Sequence, residues 1–191
     1  MKALDTSVKT TGQAQQIAAD GYQAVGVYLR SDRCTAAMLA ELHSAGIKIW
    51  SIYEKGFPIR DAYFTAAQGT KDGTAAAAFA TSVGQPKGSQ IYATVDYDPS
   101  LAAVNGGITA YMKAFQAAIK PAGYVSSVYA SGRACRILIA AGLAKTGWLT
   151  QSTGFAEYKT FKPQAGIVQL PVITSNWDGD EIPNPAVVGL W

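Results

Sequence analysis

Histidine and cysteine are almost missing from this 191-residue sequence, which has one histidine, His43, and two cysteines, Cys34 and Cys135. There is no CxxC pair or His/Cys cluster, so a zinc centre built from those ligands is not expected. A Ser-His-Asp or Cys-His mechanism would have to run through His43. That residue sits near the C-terminal end of a helical stretch, where the helix dipole favours an imidazole. The cysteines read as small apolar side chains near helix starts. Charge is scarce as well, at 15% of residues. The 16 basic and 13 acidic side chains give a net +3 with no clustered Lys/Arg stripe, so nucleic acid is not an expected partner. No apolar run approaches the roughly 20 residues that cross a bilayer, which excludes an integral membrane segment. Neither GxGxxG nor GxxxxGKS/T occurs, and no nucleotide cofactor is indicated. Met1-Lys2-Ala3-Leu4-Asp5-Thr6 lacks the apolar core of a signal peptide and leads straight into a strand. On that basis the chain is expected in the cytoplasm.

What is abundant is apolar, at 49% of residues, and it comes in strand-length runs alternating with helical patterns. After a first strand ending at Asp5, a helix over Thr11 to Asp20 precedes a strand over Ala24 to Leu29. Thr35 reads as the N-cap of a helix through Ala45, stopped by Gly46. Ile47 to Glu54 is a third strand. An alanine-rich helix follows from about Gly73 to Val83, then a fourth strand from Gln90 to Asp98. A helix over Asn105 to Lys120, a strand over Ser126 to Ser131 and a helix over Gly132 to Ala141 come next. The remaining strands are Gly147 to Gln151, Ile167 to Leu170 and a weaker one near Thr174 to Trp177. This alternation predicts an α/β fold: a single (β/α)8 TIM-like barrel over residues 1–191, trimmed, with reduced helices in its C-terminal units.

The nine Asp and four Glu are placed informatively. Asp5 closes the first strand, Glu54 the third, and Asp96 and Asp98 the fourth; Asp178 and Asp180 follow the eighth. In a parallel barrel all strand C-termini share one face, so these acids converge on one mouth. The period of two puts Tyr92, Thr94, Asp96 and Asp98 on one side of their strand. Neighbouring carboxylates cannot both ionise easily, which separates an acid from a base or a charge stabiliser. Tyr28, Tyr53, Tyr97, Tyr129, Trp148 and Trp177 lie near the same ends and suit sugar faces. Gln151 and Gln169 add neutral groups for hydroxyl or amide substituents.

On these residues the sequence resembles the glycoside-hydrolase-like family filed as domain of unknown function 1906, a barrel family related to the family 25 lysozymes. The matching pieces, in order, include Ala3-Leu4-Asp5-Thr6, Gly21 to Tyr28, Leu42 to Glu54, Ile91-Tyr92-Ala93-Thr94-Val95-Asp96-Tyr97-Asp98, Val128 to Gly132, Trp148 to Ser152 and Gly189-Leu190-Trp191. The resemblance implies a barrel that cuts peptidoglycan at the β-1,4 bond after N-acetylmuramic acid, as a phage endolysin does. It also implies an Asp-x-Glu on the fourth strand, whose Glu is the general acid. Asp5 and Asp96 match the family's acids, whereas Asp98 stands where the Glu would be; Glu54 is the other candidate acid.

The expected function is therefore a peptidoglycan-degrading glycoside hydrolase, acting as a monomer. Glu54, Asp98, Asp96 and Asp5 are its catalytic residues, and Asp178, Tyr28, Tyr53, Tyr129, Trp148, Gln151, Gln169 and Trp177 bind substrate. No cofactor is expected. Two alternatives stay open: a carbohydrate-binding barrel without catalysis, and a hydrolase holding a divalent ion on Asp5, Asp96 and Asp98.

Overall fold

The computed structural model describes residues 1–174 and 176–191, with residues 172–174 given by their backbone alone. Its strands close one barrel in chain order: β1 (Lys2–Thr6), β2 (Ala24–Tyr28), β3 (Lys48–Tyr53), β4 (Gln90–Thr94), β5 (Val125–Ala130), β6 (Gly147–Leu149), β7 (Ile167–Thr174) and β8 (Trp177–Glu181). Helices α1 (Ala14–Ala19), α2 (Ala36–Ser44) and α3 (Ala66–Ser82) cross between the early strands. Next come α4 (Leu101–Ala103), a π-helical turn at Val104–Ile108, α5 (Thr109–Ile119), α6 (Gly132–Ala140) and the single turn α7 (Tyr158–Phe161). This is the expected TIM-like α/β barrel, with its helices dwindling toward the C-terminal units.

The eighth strand departs from expectation in place and direction. Thr174 ends β7 and Trp177 opens β8, and Ser175, inside the expected strand, lies outside the described residues. A link this short joins only antiparallel neighbours, because a parallel return needs a crossover of a dozen residues or more. β8 accordingly runs antiparallel to both β7 and β1. Asp178 and Asp180 are therefore strand residues rather than a tail beyond one, and the amino end of β8 is the end at the mouth.

Alternation along the strands separates two apolar faces. Leu4, Val25, Val27 and Ile49 point outward into a cluster with Ile17, Met38 and Leu42 of α1 and α2. Trp50, Ile52, Tyr92, Tyr129 and Trp148 point inward and fill the barrel. The Trp148 ring meets Trp50 edge-on at 5.8 Å between centroids and Tyr129 at 4.6 Å. A Cβ added to Gly26 would come within 2.5 Å of the Trp50 ring and 2.9 Å of Asp5 Cβ. Glycine on β2 is what makes room for the indole. Below the rings, Gln90 Nε2 and Tyr92 OH donate to the carbonyls of Val187 and Val188 and close the bottom of the barrel.

Two other boundaries moved. Helix α3 starts at Ala66, where Thr65 accepts from Gln68 N, seven residues before the expected start at Gly73. Gly69 and Gly73 weaken a helix by propensity, but one turn apart they form the seat for α5. A Cβ on Gly69 would lie 2.2 Å from the Tyr111 carbonyl oxygen, and one on Gly73 2.7 Å from Ala118 Cβ. Strand β4 stops at Thr94 rather than Asp98, because Asp96 N leaves the sheet to donate to Pro58 O (2.9 Å) in the loop after β3.

Candidate active site

The inward positions nearest the mouth carry the chemistry. Glu54 continues the Trp50 and Ile52 face of β3, Asp96 continues the Tyr92 and Thr94 face of β4, and Asp178 is paired with Asp5 across β1 and β8. These three acids line one cleft of about 190 Å³. Tyr28, Tyr129 and Trp148 supply rings to the same cleft, and Thr94, Gln151 and Gln169 neutral polar groups.

Asp5 is only 2% exposed and sits beneath the cleft rather than in its wall. Gln169 Nε2 donates to Asp5 Oδ2 (3.1 Å). The amide is oriented by Tyr129 OH, which donates to Gln169 Oε1 (2.8 Å), and more weakly by Gln151 N at 3.4 Å. Deeper still is Asp180, also 2% exposed, whose Oδ1 accepts from Trp148 Nε1 (2.8 Å).

Three expected site residues lie elsewhere. Asp98, beyond the end of β4, turns outward and accepts from Ala156 N (3.0 Å), so it serves a loop and not the cleft. Tyr53 is the outward neighbour of Glu54 and packs on Phe115 of α5 at 6.2 Å between centroids. Trp177 is outward beside Asp178 and packs on the cluster under α1 and α2. For both aromatics the period of two already pointed away from the acids. The divalent-ion arrangement on Asp5, Asp96 and Asp98 does not form, since Asp5 is buried under the floor and Asp98 faces Ala156. Among the described residues no group of three or more His, Cys, Asp or Glu is disposed to hold a metal.

Two features were not anticipated. Asp180 belongs to the floor, and its two-residue spacing from Asp178 was the available signal. The loop pinned by Asp96 N and Pro58 O displays Phe57 and Ile59, 72% and 50% exposed, on either side of Pro58.

Among the described residues the cleft lining holds no Lys, Arg or His, so its acids hold their protons more tightly than usual. Glu54 is raised by burial first and the Asp96 charge second, with Thr94 and Arg30 pulling the other way. Burial raises Asp96 and Asp178. Asp5 is pushed up to about 7, mainly by burial, against the hydrogen bond from Gln169 and with added repulsion from Asp178. Asp180 is raised well above the carboxylate range by burial and then by the charge of Asp5. The arrangement can offer both a protonated carboxyl and a carboxylate to one substrate near neutral pH.

The sequence pattern of the Rv2525c-like, glycoside hydrolase-like domain matches residues 15–185. The uncharacterized protein YbfG of Bacillus subtilis is 33% identical over 81% of this chain, which spans 24% of YbfG's length. Rv2525c of Mycobacterium tuberculosis, a Tat-secreted protein crystallised with L-tartrate, superimposes with a TM-score of 0.84 at 22% identity, covering 100% of this chain and 98% of that one. The modular autolysin LytC of Streptococcus pneumoniae, solved with a synthetic peptidoglycan ligand, gives 0.61 at 14% identity, over 94% and 46%. The export of Rv2525c overturns the cytoplasmic expectation. Lys2–Thr6 is a barrel strand, so its lack of a leader's apolar core reports the fold and not the compartment. Among the described residues no helix is long and apolar enough to cross a membrane.

Proposed function

This chain belongs to the Rv2525c-like, glycoside hydrolase-like family, and from its barrel mouth we propose that it hydrolyses a glycosidic bond in a cell-wall glycan. One observation carries the reading: Glu54, Asp96 and Asp178 share a cleft without a cation, and the Asp96 charge helps Glu54 keep its proton. Glu54 protonates the leaving oxygen. Asp96 or Asp178 orients a water, or polarises a substrate acetamido group acting as internal nucleophile. Asp5 sets the charge beneath them. The acid role goes to Glu54 rather than Asp98, because the Asp98 carboxylate is engaged by Ala156 N away from the cleft.

Tyr28, Tyr129 and Trp148 offer ring surface to a sugar, while Gln151 and Gln169 offer hydrogen bonds to its substituents. Exposed Phe57 and Ile59, in the loop bonded to Asp96 N, are the proposed contact for a neighbouring sugar of a polymer. Peptidoglycan is the proposed substrate class. The LytC barrel supports it, and so does the resemblance to family 25 lysozymes, whose cut falls after N-acetylmuramic acid.

The test is a count of reducing ends released from purified peptidoglycan by wild type, Glu54→Gln, Asp96→Asn and Asp98→Asn. Loss of a general acid is expected to lower the rate about 10²–10⁴-fold in Glu54→Gln, with Asp98→Asn close to wild type. Undiminished release by Glu54→Gln would overturn the assignment. The second reading is a glycan-binding barrel without catalysis, favoured by Asp98 standing where family 25 carries its Glu. It predicts that wild type co-sediments with peptidoglycan and frees no reducing ends.

A further inference from the structure

We propose that Asp180 is a positioning residue: it holds a proton under the cleft and gives Asp5 a hydrogen bond rather than a second negative charge. Its effect on catalysis rests on the glycosidase reading; the location of the proton does not.

The geometry comes from the reversed strand. Asp178 is paired with Asp5 and Asp180 with Ala3, so all four share the inner face, with Asp180 the diagonal neighbour of Asp5. Trp148 Nε1 occupies Asp180 Oδ1 at 2.8 Å, while Asp180 Oδ2 is buried and receives no hydrogen bond among the described residues. An ionised oxygen left in that state forfeits its solvation without replacement. A protonated one has an acceptor in the Asp5 carboxylate beside it.

The surrounding groups offer no other way to neutralise the pair. Facing it are Asp178 on the same strand, Glu54 just past β3, Asp96 just past β4, Tyr28 on β2, Tyr129 on β5, Trp148 on β6 and Gln169 on β7. None of these is a cation, and above the Asp5 midpoint the two adjacent buried carboxyls carry one proton between them. Each acid has one neutral donor, Gln169 for Asp5 and Trp148 for Asp180. Asp180 lies deeper, so the proton rests there and the charge stays on Asp5, nearer the substrate. Asp5 is thereby tied from two sides in one orientation, facing Asp178.

The measurement is ¹³C NMR of the side-chain carboxyl carbons in the full chain, titrated from pH 4 to 8. In wild type, the Asp180 carbon is expected to keep the shift of a protonated acid across the range. A titration of Asp180 below pH 5 overturns the proposal. Asp180→Asn keeps an acceptor for Trp148 and a donor for Asp5 without charge. It is expected to leave the Asp5 midpoint within about half a unit of wild type, because it removes no charge. A fall of about 1–3 units, the effect of deleting an adjacent anion, overturns it as well. Under the glycosidase reading, Asp180→Asn retains reducing-end release, whereas Asp180→Leu lowers kcat about 10-fold or more with little change in KM. If wild type releases no reducing ends, the functional reading fails while the titration still decides where the proton is.

Discussion

Trp148 Nε1 lies 2.8 Å from Asp180 Oδ1, a bond across the barrel interior that joins β6 to β8, two strands with no sheet pairing between them. It brings an indole of the aromatic core and an acid of the floor into one unit. Trp148→Phe keeps a ring but leaves Asp180 Oδ1 buried without a donor. The lost bond is expected to cost about 1–3 kcal/mol, with a further loss from the smaller ring. Equilibrium unfolding in urea measures it; an unchanged midpoint would show that the bond contributes nothing.

Gly26→Ala is expected to be worse than its single methyl suggests. The new Cβ would sit 2.5 Å from the Trp50 ring and 2.9 Å from Asp5 Cβ, with rigid groups on both sides. Overpacking of that kind costs about 1–3 kcal/mol, and the displaced Asp5 should also slow any reaction above it. Thermal unfolding and activity are the paired measurements, and a drop in only one would separate packing from positioning.

Stability is expected to fall as pH rises from about 4 to about 7. Asp5 titrates near 7 in the folded barrel against a usual value of 3.8. Between these values the folded state keeps a proton that the unfolded chain has released, so the slope of unfolding free energy with pH is negative. Glu54, Asp96, Asp178 and Asp180 are raised too and act in the same sense. Asp5→Asn should flatten the profile and gain stability at pH 8 relative to wild type. Chemical denaturation at several pH values checks it, and a wild-type profile rising from pH 5 to 8 contradicts it.

Tyr129→Phe tests the orientation of Gln169. Without the phenol, among the described residues only the long Gln151 N contact holds Gln169 Oε1, and the amide can turn away from Asp5. A stability loss of about 0.5–1.5 kcal/mol is expected for the hydrogen bond. A larger proportional effect on kcat than on KM is expected from the misplaced floor. An effect on KM alone would make Tyr129 a substrate contact only.

Much of this was open to reading from local pattern. The period of two put Asp96 on the inward side beyond β4, Glu54 at the close of β3 meets it in the same cleft, and Thr35 caps α2 by accepting from Met38 N as its position suggested. Tyr53 and Trp177 were drawn into the site by their nearness in sequence to acids, although the same period turns them outward. Asp98 was lost because β4 ends early: a backbone donor at Asp96 meets Pro58 O, an acceptor 38 positions earlier in the chain, which strand periodicity does not register. The glycines of α3 misled for a related reason, since propensity counts their cost and not the helix α5 that needs their bareness.

The amino-acid order by itself determined the strand-and-helix alternation, the barrel class and the convergence of Glu54 and Asp96, because these follow from side-chain period and local propensity. Only the tertiary structure decided the direction of β8, and with it the depth of Asp178 and Asp180. A two-residue link between β7 and β8 forces the last strand to return antiparallel as it closes the barrel. That return carries Asp180 down into the aromatic core beside Asp5, where both carboxyls are buried among neutral and acidic neighbours.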